Sequence, residues 1–243
     1  MSARGREVDD PRRGFLIALL AAGAYMLGRP RDAAAGLLGT VPRPLPAGRS
    51  VHTHSGGVRV NGRPLNAATL IRASDVVETD ADGKLVFVVG KDAFLLRGQS
   101  RLEMIAAGAE QFAVGTLRLV TGRLLSVFGR SPHRLETVTA TIGVRGTGVY
   151  LESEPDRSYV CTCYGTTEIA AVGDPQSSEV ISATHHDAPR YVLAAGSSGR
   201  RIEPAPFKDH TDEELELLEA LVGRTTPFRL PGDAYGRPRR NTY

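Results

Sequence analysis

From Val51 onward the chain consists of short apolar runs separated by glycine, asparagine, aspartate or proline, and many of the runs alternate apolar with polar positions. A period of two is the mark of a strand with one face buried. The stretch from Gly57 to Pro64 alternates in this way and contains an Asn-Gly pair at 61–62, a two-residue hairpin signal. Ser74 to Thr79 reads as a second strand, 80–83 as a turn, Lys84 to Val89 as a third strand, and 90–92 as a turn into Ala93 to Arg97. Ser100 to Ile105 follows, and then Thr116 to Thr121 and Arg123 to Phe128 flank Gly122. Further strands are predicted at 135–142, 144–152, 158–164, 166–172 and 189–194. Short strands at this spacing predict an all-β fold, either an irregular twisted β-solenoid or a sandwich of short strands, since no strict repeat is present.

One segment departs from the period of two. Thr211 with Glu214 has the form of a capping box, and Leu215, Leu218, Leu221 and Val222 then recur at helical spacing, with Gly223 placed to end the helix. The region 204–230 is therefore expected to be a C-terminal amphipathic helix packed on the β domain of residues 51–203. The tail 231–243, rich in arginine, is expected to be disordered.

Ahead of the strands, 36–50 carries Pro42, Pro44 and Pro46 and reads as a linker. Residues 1–35 combine Arg12 and Arg13 with an apolar run from Phe15 to Leu27 and with Ala33 and Ala35 as small residues at a cleavage-type spacing. That is the pattern of an export signal of twin-arginine type, the alternative being an uncleaved signal-anchor. Both readings place the β domain in the periplasm, in the second case at the inner membrane with the N-terminal segment as the sole membrane contact. Composition adds little. The formal net charge is +3 and many arginines lie in the two ends, so the basic balance does not indicate a nucleic-acid partner. The glycines at 143, 146 and 148 are not followed by a helical pattern and are not a dinucleotide fingerprint, and no Gly-x-Ser-x-Gly elbow occurs. An enzyme is not expected.

The candidate chemistry lies in the two cysteines, Cys161 and Cys163. On a strand their side chains share a face, so two sulfurs at i, i+2 can reach one ion. His185 and His186 follow about twenty residues on, within reach if that segment returns beside the cysteine strand. Cys161, Cys163, His185 and His186 together form a candidate site for zinc, copper or iron, with only one of the adjacent histidines reaching the sulfurs unless a bend intervenes. A strained disulfide and inert packing are the alternatives for the cysteines. His52, His54, His133 and His210 read as solvated or capping residues.

Several motifs in order resemble the FecR domain: Gly57 to Gly62, Leu70, Asp75 to Thr79, Gly83, Asp92 to Arg97, Ser100 to Glu103, Leu117 to Val127, and Thr139 to Glu152 with its Val-Arg-Gly-Thr-Gly core at 144–148. The resemblance spans about residues 55–170. It implies a non-enzymatic, all-β periplasmic domain used in sensing or protein interaction, with an envelope protein as partner. Regulators of this family carry an anti-sigma segment ahead of a membrane helix; the stretch ahead of Phe15 is too short for one, so a stand-alone domain is expected. A periplasmic metal-binding or thiol-redox protein is the alternative function.

Overall fold

The computed structural model describes residues 42–195 and 199–228. In chain order the strands are β1 (Val51–Ser55), β2 (Val58–Val60), β3 (Arg63–Pro64), β4 (Val76–Thr79), β5 (Lys84–Val89), β6 (Asp92–Leu96), β7 (Arg101–Ala106), β8 (Val114–Val127), β9 (Pro132–Glu136), β10 (Ala140–Arg145), β11 (Gly148–Ser153), β12 (Arg157–Ala171), β13 (Asp174–Ala183), β14 (Arg190–Leu193) and β15 (Ile202–Pro204). They precede a single described helix, α1 (Asp212–Leu221). The expected all-β class with one C-terminal helix holds, and the strands form one continuous hydrogen-bonded network.

Two sheets share the strands. A front sheet runs β1–β5–β6–β8–β11–β12–β14–β15. A back sheet runs β3–β2–β4–β7–β8–β9–β10–β12–β13. Every pairing is antiparallel except β8 with β9. β8 and β12 belong to both sheets, so β8, β11, β12, β10 and β9 hydrogen-bond in a closed ring, a small barrel without a free edge.

Each shared strand crosses at a glycine. Residues 114–121 of β8 pair with β7 in the back sheet, and 124–127 pair with β6 in the front sheet. Gly122 stands at the corner with φ +95, and a Cβ there would lie 2.0 Å from Ser100 Oγ and 2.5 Å from Ser100 Cα. Likewise β12 pairs with β11 over 158–164 and with β13 from Gly165, which has φ +87. Two long bent strands therefore replace the four short ones read on either side of Gly122 and Gly165. Strands that switch sheets at such corners close a sandwich.

The core follows from the alternation. Inward rows run Leu85–Leu96–Leu124–Leu151–Val160 across the front sheet and Met104–Leu117–Leu135–Ile142–Ile169 across the back. Both rows belong to one buried apolar cluster. β7, β9 and β10 keep alternate residues partly or fully exposed, whereas β6 and β11 are buried at every position. The front sheet is thus covered on both faces, which is why its strands carry unbroken apolar runs. The second row, Val86–Leu95–Leu125–Tyr150–Cys161, faces away from the sandwich core. α1 packs on β6 and β8, and Leu215, Leu218 and Leu221 are buried.

The capping box of α1 is present, with Thr211 Oγ1 accepting from the Glu214 amide and the Glu214 carboxylate accepting from the Thr211 amide. The helix ends in a Schellman closure, Gly223 N–H to Ala220 O and Arg224 N–H to Glu219 O. Leu217 is buried while Val222, expected on the buried face, is a half-buried cap residue. Three other expectations are corrected. The single strand read at 135–142 is two, because Thr137 and Ala140 bond to each other and form a turn. β13 was not expected; its polar sequence suits an edge strand paired only with β12. Part of the 36–50 linker is also tied down, since Leu45 N–H donates to Leu221 O. The export signal and the 231–243 tail lie outside the described residues. Among those described, no helix is long and apolar enough to cross a membrane.

Ion pairs brace the outer strands. Arg190 Nε and Nη2 reach Glu179 at 2.7 and 2.6 Å, and that hydrogen bonding holds the Glu179 carboxyl below its ordinary value. A carboxylate depressed in the folded state adds stability above its unfolded pKa and loses it as pH falls through the folded one. Acidification below the usual glutamate range should therefore lower the melting temperature, and Glu179→Gln should remove its share of that slope. The share is small, at most about 1 kcal/mol for a solvent-screened pair.

Candidate metal centre

The outer face of β12 carries the cysteines. Cys161 is paired with Tyr150, but the register slips beyond it: Thr162 faces Val149, while Tyr164 faces Gly148. Cys163 is the extra residue of this bulge, a device that re-aims a side chain. Both thiols are free and buried. The strained disulfide, one of the alternatives for the pair, is not formed.

After β13 the chain returns to β12 as the sequence reading anticipated. His186 takes a left-handed conformation, φ 55, and its amide donates to Cys163 O at 2.9 Å. That bond places the imidazole of His186 over the strand, with Nδ1 3.6 Å from Cys161 Sγ. A third segment arrives from just ahead of α1. His210 precedes the N-cap Thr211, stacks on the Tyr150 ring at 4.5 Å, and sets Nε2 3.4 Å from Cys163 Sγ and 3.0 Å from His186 Nδ1. The four donor atoms of Cys161, Cys163, His186 and His210 all lie within 4.8 Å of one another, and all four residues are buried.

The structure therefore assembles three of the expected site residues and replaces the fourth. His185 does not reach the sulfurs. Its Nε2 lies 2.8 and 3.0 Å from the Asp212 carboxylate oxygens, and its ring packs on Phe228. The reason is the left-handed turn at His186, which ties that residue, not its neighbour, to β12. His210 was read as solvated or capping, yet it is 4% exposed and stands among the donors. It is separated from Cys163 by 47 residues. The one local sign of it is its place directly ahead of the capping box of a helix with an apolar face.

Outer hydrogen bonds fix both rings. His210 Nδ1 lies 2.8 Å from Lys208 O, a pure acceptor, so Nδ1 donates there and Nε2 is the inward nitrogen. His186 Nε2 lies 3.1 Å from Asp212 Oδ1, so that nitrogen donates and Nδ1 is the inward one. Two inward ring nitrogens 3.0 Å apart, both beside sulfur, repel unless a proton or a metal ion lies between them. For an ion bound tetrahedrally by nitrogen and sulfur, the edges are about 3.3 Å between nitrogens and about 3.6 Å between nitrogen and sulfur. The His186–His210, Cys163–His210 and Cys161–His186 edges of 3.0, 3.4 and 3.6 Å are close to that frame, and the other three edges lie within 4.8 Å. An imidazole tied to a carboxylate or carbonyl on its far side is the usual outer arrangement of a histidine metal ligand.

The electrostatics favour a cation at the same point. Hydrogen bonding from Cys163, helped by His186 and His210, holds the Cys161 thiol well below its ordinary range against the effect of burial. Burial, with the neighbouring Cys161 charge, pushes Cys163 up. Burial alone would depress His186, but its bonds to Asp212 and Cys161 and their charges lift it to about 9. Burial would raise Asp212; its bonds to His186 and His185 lower it. A proton on His186 Nδ1 thus balances the Cys161 thiolate, and a metal ion would take that proton's place. Asp212→Asn should weaken the affinity for any zinc ion held here about 10–100-fold, because it loosens the bond that orients His186. Competition against a chromogenic chelator measures it, and an unchanged affinity would deny Asp212 that role.

No family model matches the chain, and no curated protein matches it. Among solved structures it is similar to two crystal structures, at 1.65 and 2.50 Å resolution, of a "putative anti-sigma factor" from Parabacteroides distasonis. In each case the identity is 11%, the TM-score 0.42, and the match covers 54% of this chain and 58% of the other. The match thus spans less than two thirds of the length of those chains.

Proposed function

We propose that this chain is a metal-binding β domain, with Cys161, Cys163, His186 and His210 holding one zinc ion in a closed Cys2His2 centre. The observation that carries this reading is the pair of oriented imidazoles, each tied on its outer side and each aiming the other nitrogen at the thiols. Tetrahedral S2N2 sets suit zinc; copper(I) and iron are weaker fits. Four protein ligands leave no open position for substrate, which is the form of a structural zinc site rather than a catalytic one.

Cys161, His186 and Asp212 also form a line of thiol, imidazole and carboxylate, the outline of a nucleophilic triad. Cys161 has no exposed surface, so a substrate has no approach to its sulfur in this conformation. That favours a non-enzymatic role. The wider setting rests on the sequence: the twin-arginine-like start supports a periplasmic location, and the FecR-domain resemblance supports sensing through an envelope protein partner, with metal occupancy as the sensed state.

Purified full-length chain titrated with cobalt(II) should bind one equivalent and develop the intense d–d bands and thiolate charge-transfer of a tetrahedral sulfur–nitrogen site. One equivalent of zinc should then bleach them. Weak octahedral bands, or no saturable binding, would remove the reading.

A further inference from the structure

The four ligands come from three separate parts of the chain. Cys161 and Cys163 belong to β12, His186 to the turn after β13, and His210 to the segment that leads into α1. That segment and the helix cover the outer row of the front sheet, where Val86, Leu95, Leu125 and Tyr150 are buried. From this arrangement, and resting on the zinc reading above, we infer that the centre is a latch: the ion holds the segment 205–224, with α1, against the front sheet, and its removal releases that segment while the sandwich stays folded.

The balance of contacts supports release of this segment in particular. The sandwich core of Leu85, Phe87, Phe94, Leu124, Val149 and Val160 is continuous across both sheets and contains none of the ligands. The strap has a smaller hold. Its helix is 10 residues long, below the length at which a helix persists without tertiary contacts. Four leucines bury its face: Leu215, Leu217, Leu218 and Leu221. Most of its remaining ties are polar. Arg97 Nη2 donates to Asp209 O and to Glu214 at 2.7 and 2.8 Å, Lys208 pairs with Glu152, Tyr159 Oη donates to Pro206 O, and Tyr164 donates to Glu219. Water can take over such ties once the segment lifts, whereas the ion binds the strap to β12 directly through His210. His210 itself rests on Tyr150 and Phe207, so the ligand is also the residue that seats the strap on the outer row. Local opening draws on short elements of this kind, docked outside the main core.

Hydrogen exchange on the intact chain tests the latch, with zinc-loaded protein compared with protein stripped by chelator. The expected result is a loss of protection of about 100-fold in peptides from 205–224 at an ion concentration 100 times the Kd, with β5 and β6 unchanged. His210→Ala in the presence of zinc should show the same local loss. Leu218→Ala provides a reciprocal test, since it weakens docking without touching a ligand: coupling is mutual, so it should lower zinc affinity about 10-fold. Three results would overturn the latch. If zinc binds with one equivalent and the strap is equally protected with and without it, the ion is a passenger. If chelation exposes β5 and β6 together with the strap, the ion supports the whole domain. If Leu218→Ala leaves zinc affinity unchanged, docking and binding are not linked. An absence of zinc binding in the parent chain is a distinct outcome, which ends the zinc reading and the latch with it.

Discussion

Cys161→Ser is expected to leave the intact chain without zinc and to lower its melting temperature by at most about 8–16 °C, the full shift applying where strap and sandwich melt together. The estimate has two parts. An ion present at a thousand times its Kd contributes about 4 kcal/mol to the folded state. For a domain of this size, 1 kcal/mol moves the midpoint by about 2–4 °C. Serine removes the thiolate that the surrounding hydrogen bonds are arranged to keep ionised, and leaves His186 and His210 facing each other with no ion between them. A chelator should reproduce the shift in the parent chain and add nothing in the variant. Melting curves that coincide with and without chelator, in a parent chain shown to be pure and folded, would mean that the four residues merely pack.

The second large effect belongs to the fold. Gly122→Ala is expected to destabilise the chain by about 2–6 kcal/mol. At φ +95 a side chain is strained before any contact is considered, and the added carbon would meet the Ser100 Cα at 2.5 Å. The backbone penalty of about 1–3 kcal/mol combines with a steric penalty of similar size. The corner cannot relax freely, because Ser100 Oγ accepts the Arg123 amide on the far side and Ser100 N–H is held by Thr79 Oγ1. Urea unfolding with the slope held fixed gives the number. A loss below 1 kcal/mol would show that β8 does not need its glycine to change sheets.

Much of this fold is legible from neighbours in the chain. The alternation at Gly57 to Pro64, the run from Lys84 to Val89 and the capping box at Thr211 are all settled within a few residues, and the structure places β2, β3, β5 and α1 there. The unbroken runs of β5 and β6 carried one more message, that the front sheet has two covered faces. What was not legible depends on distance. Gly122 and Gly165 read as breaks between strands, but they are corners within strands, and only the pairing of each half with a different sheet shows it. β13 is polar because it is an edge, and composition alone does not distinguish such a strand from a loop. In the candidate centre, the i, i+2 spacing of the cysteines brought both to one cluster, as a strand requires. The choice of His186 over His185 depends on one left-handed residue and one amide bond to Cys163 O. His210 joins only because the segment ahead of α1 crosses the sheet, a long-range fact with no motif of its own.

Zinc K-edge X-ray absorption on the loaded full-length chain tests the centre most directly. The expected result is a four-coordinate shell with two sulfurs at about 2.3 Å and two imidazole nitrogens at about 2.0 Å, losing one of the nitrogens in His210→Ala and neither in His185→Ala. A shell of oxygen and nitrogen without sulfur, or a nitrogen lost with His185 and not with His210, would contradict it.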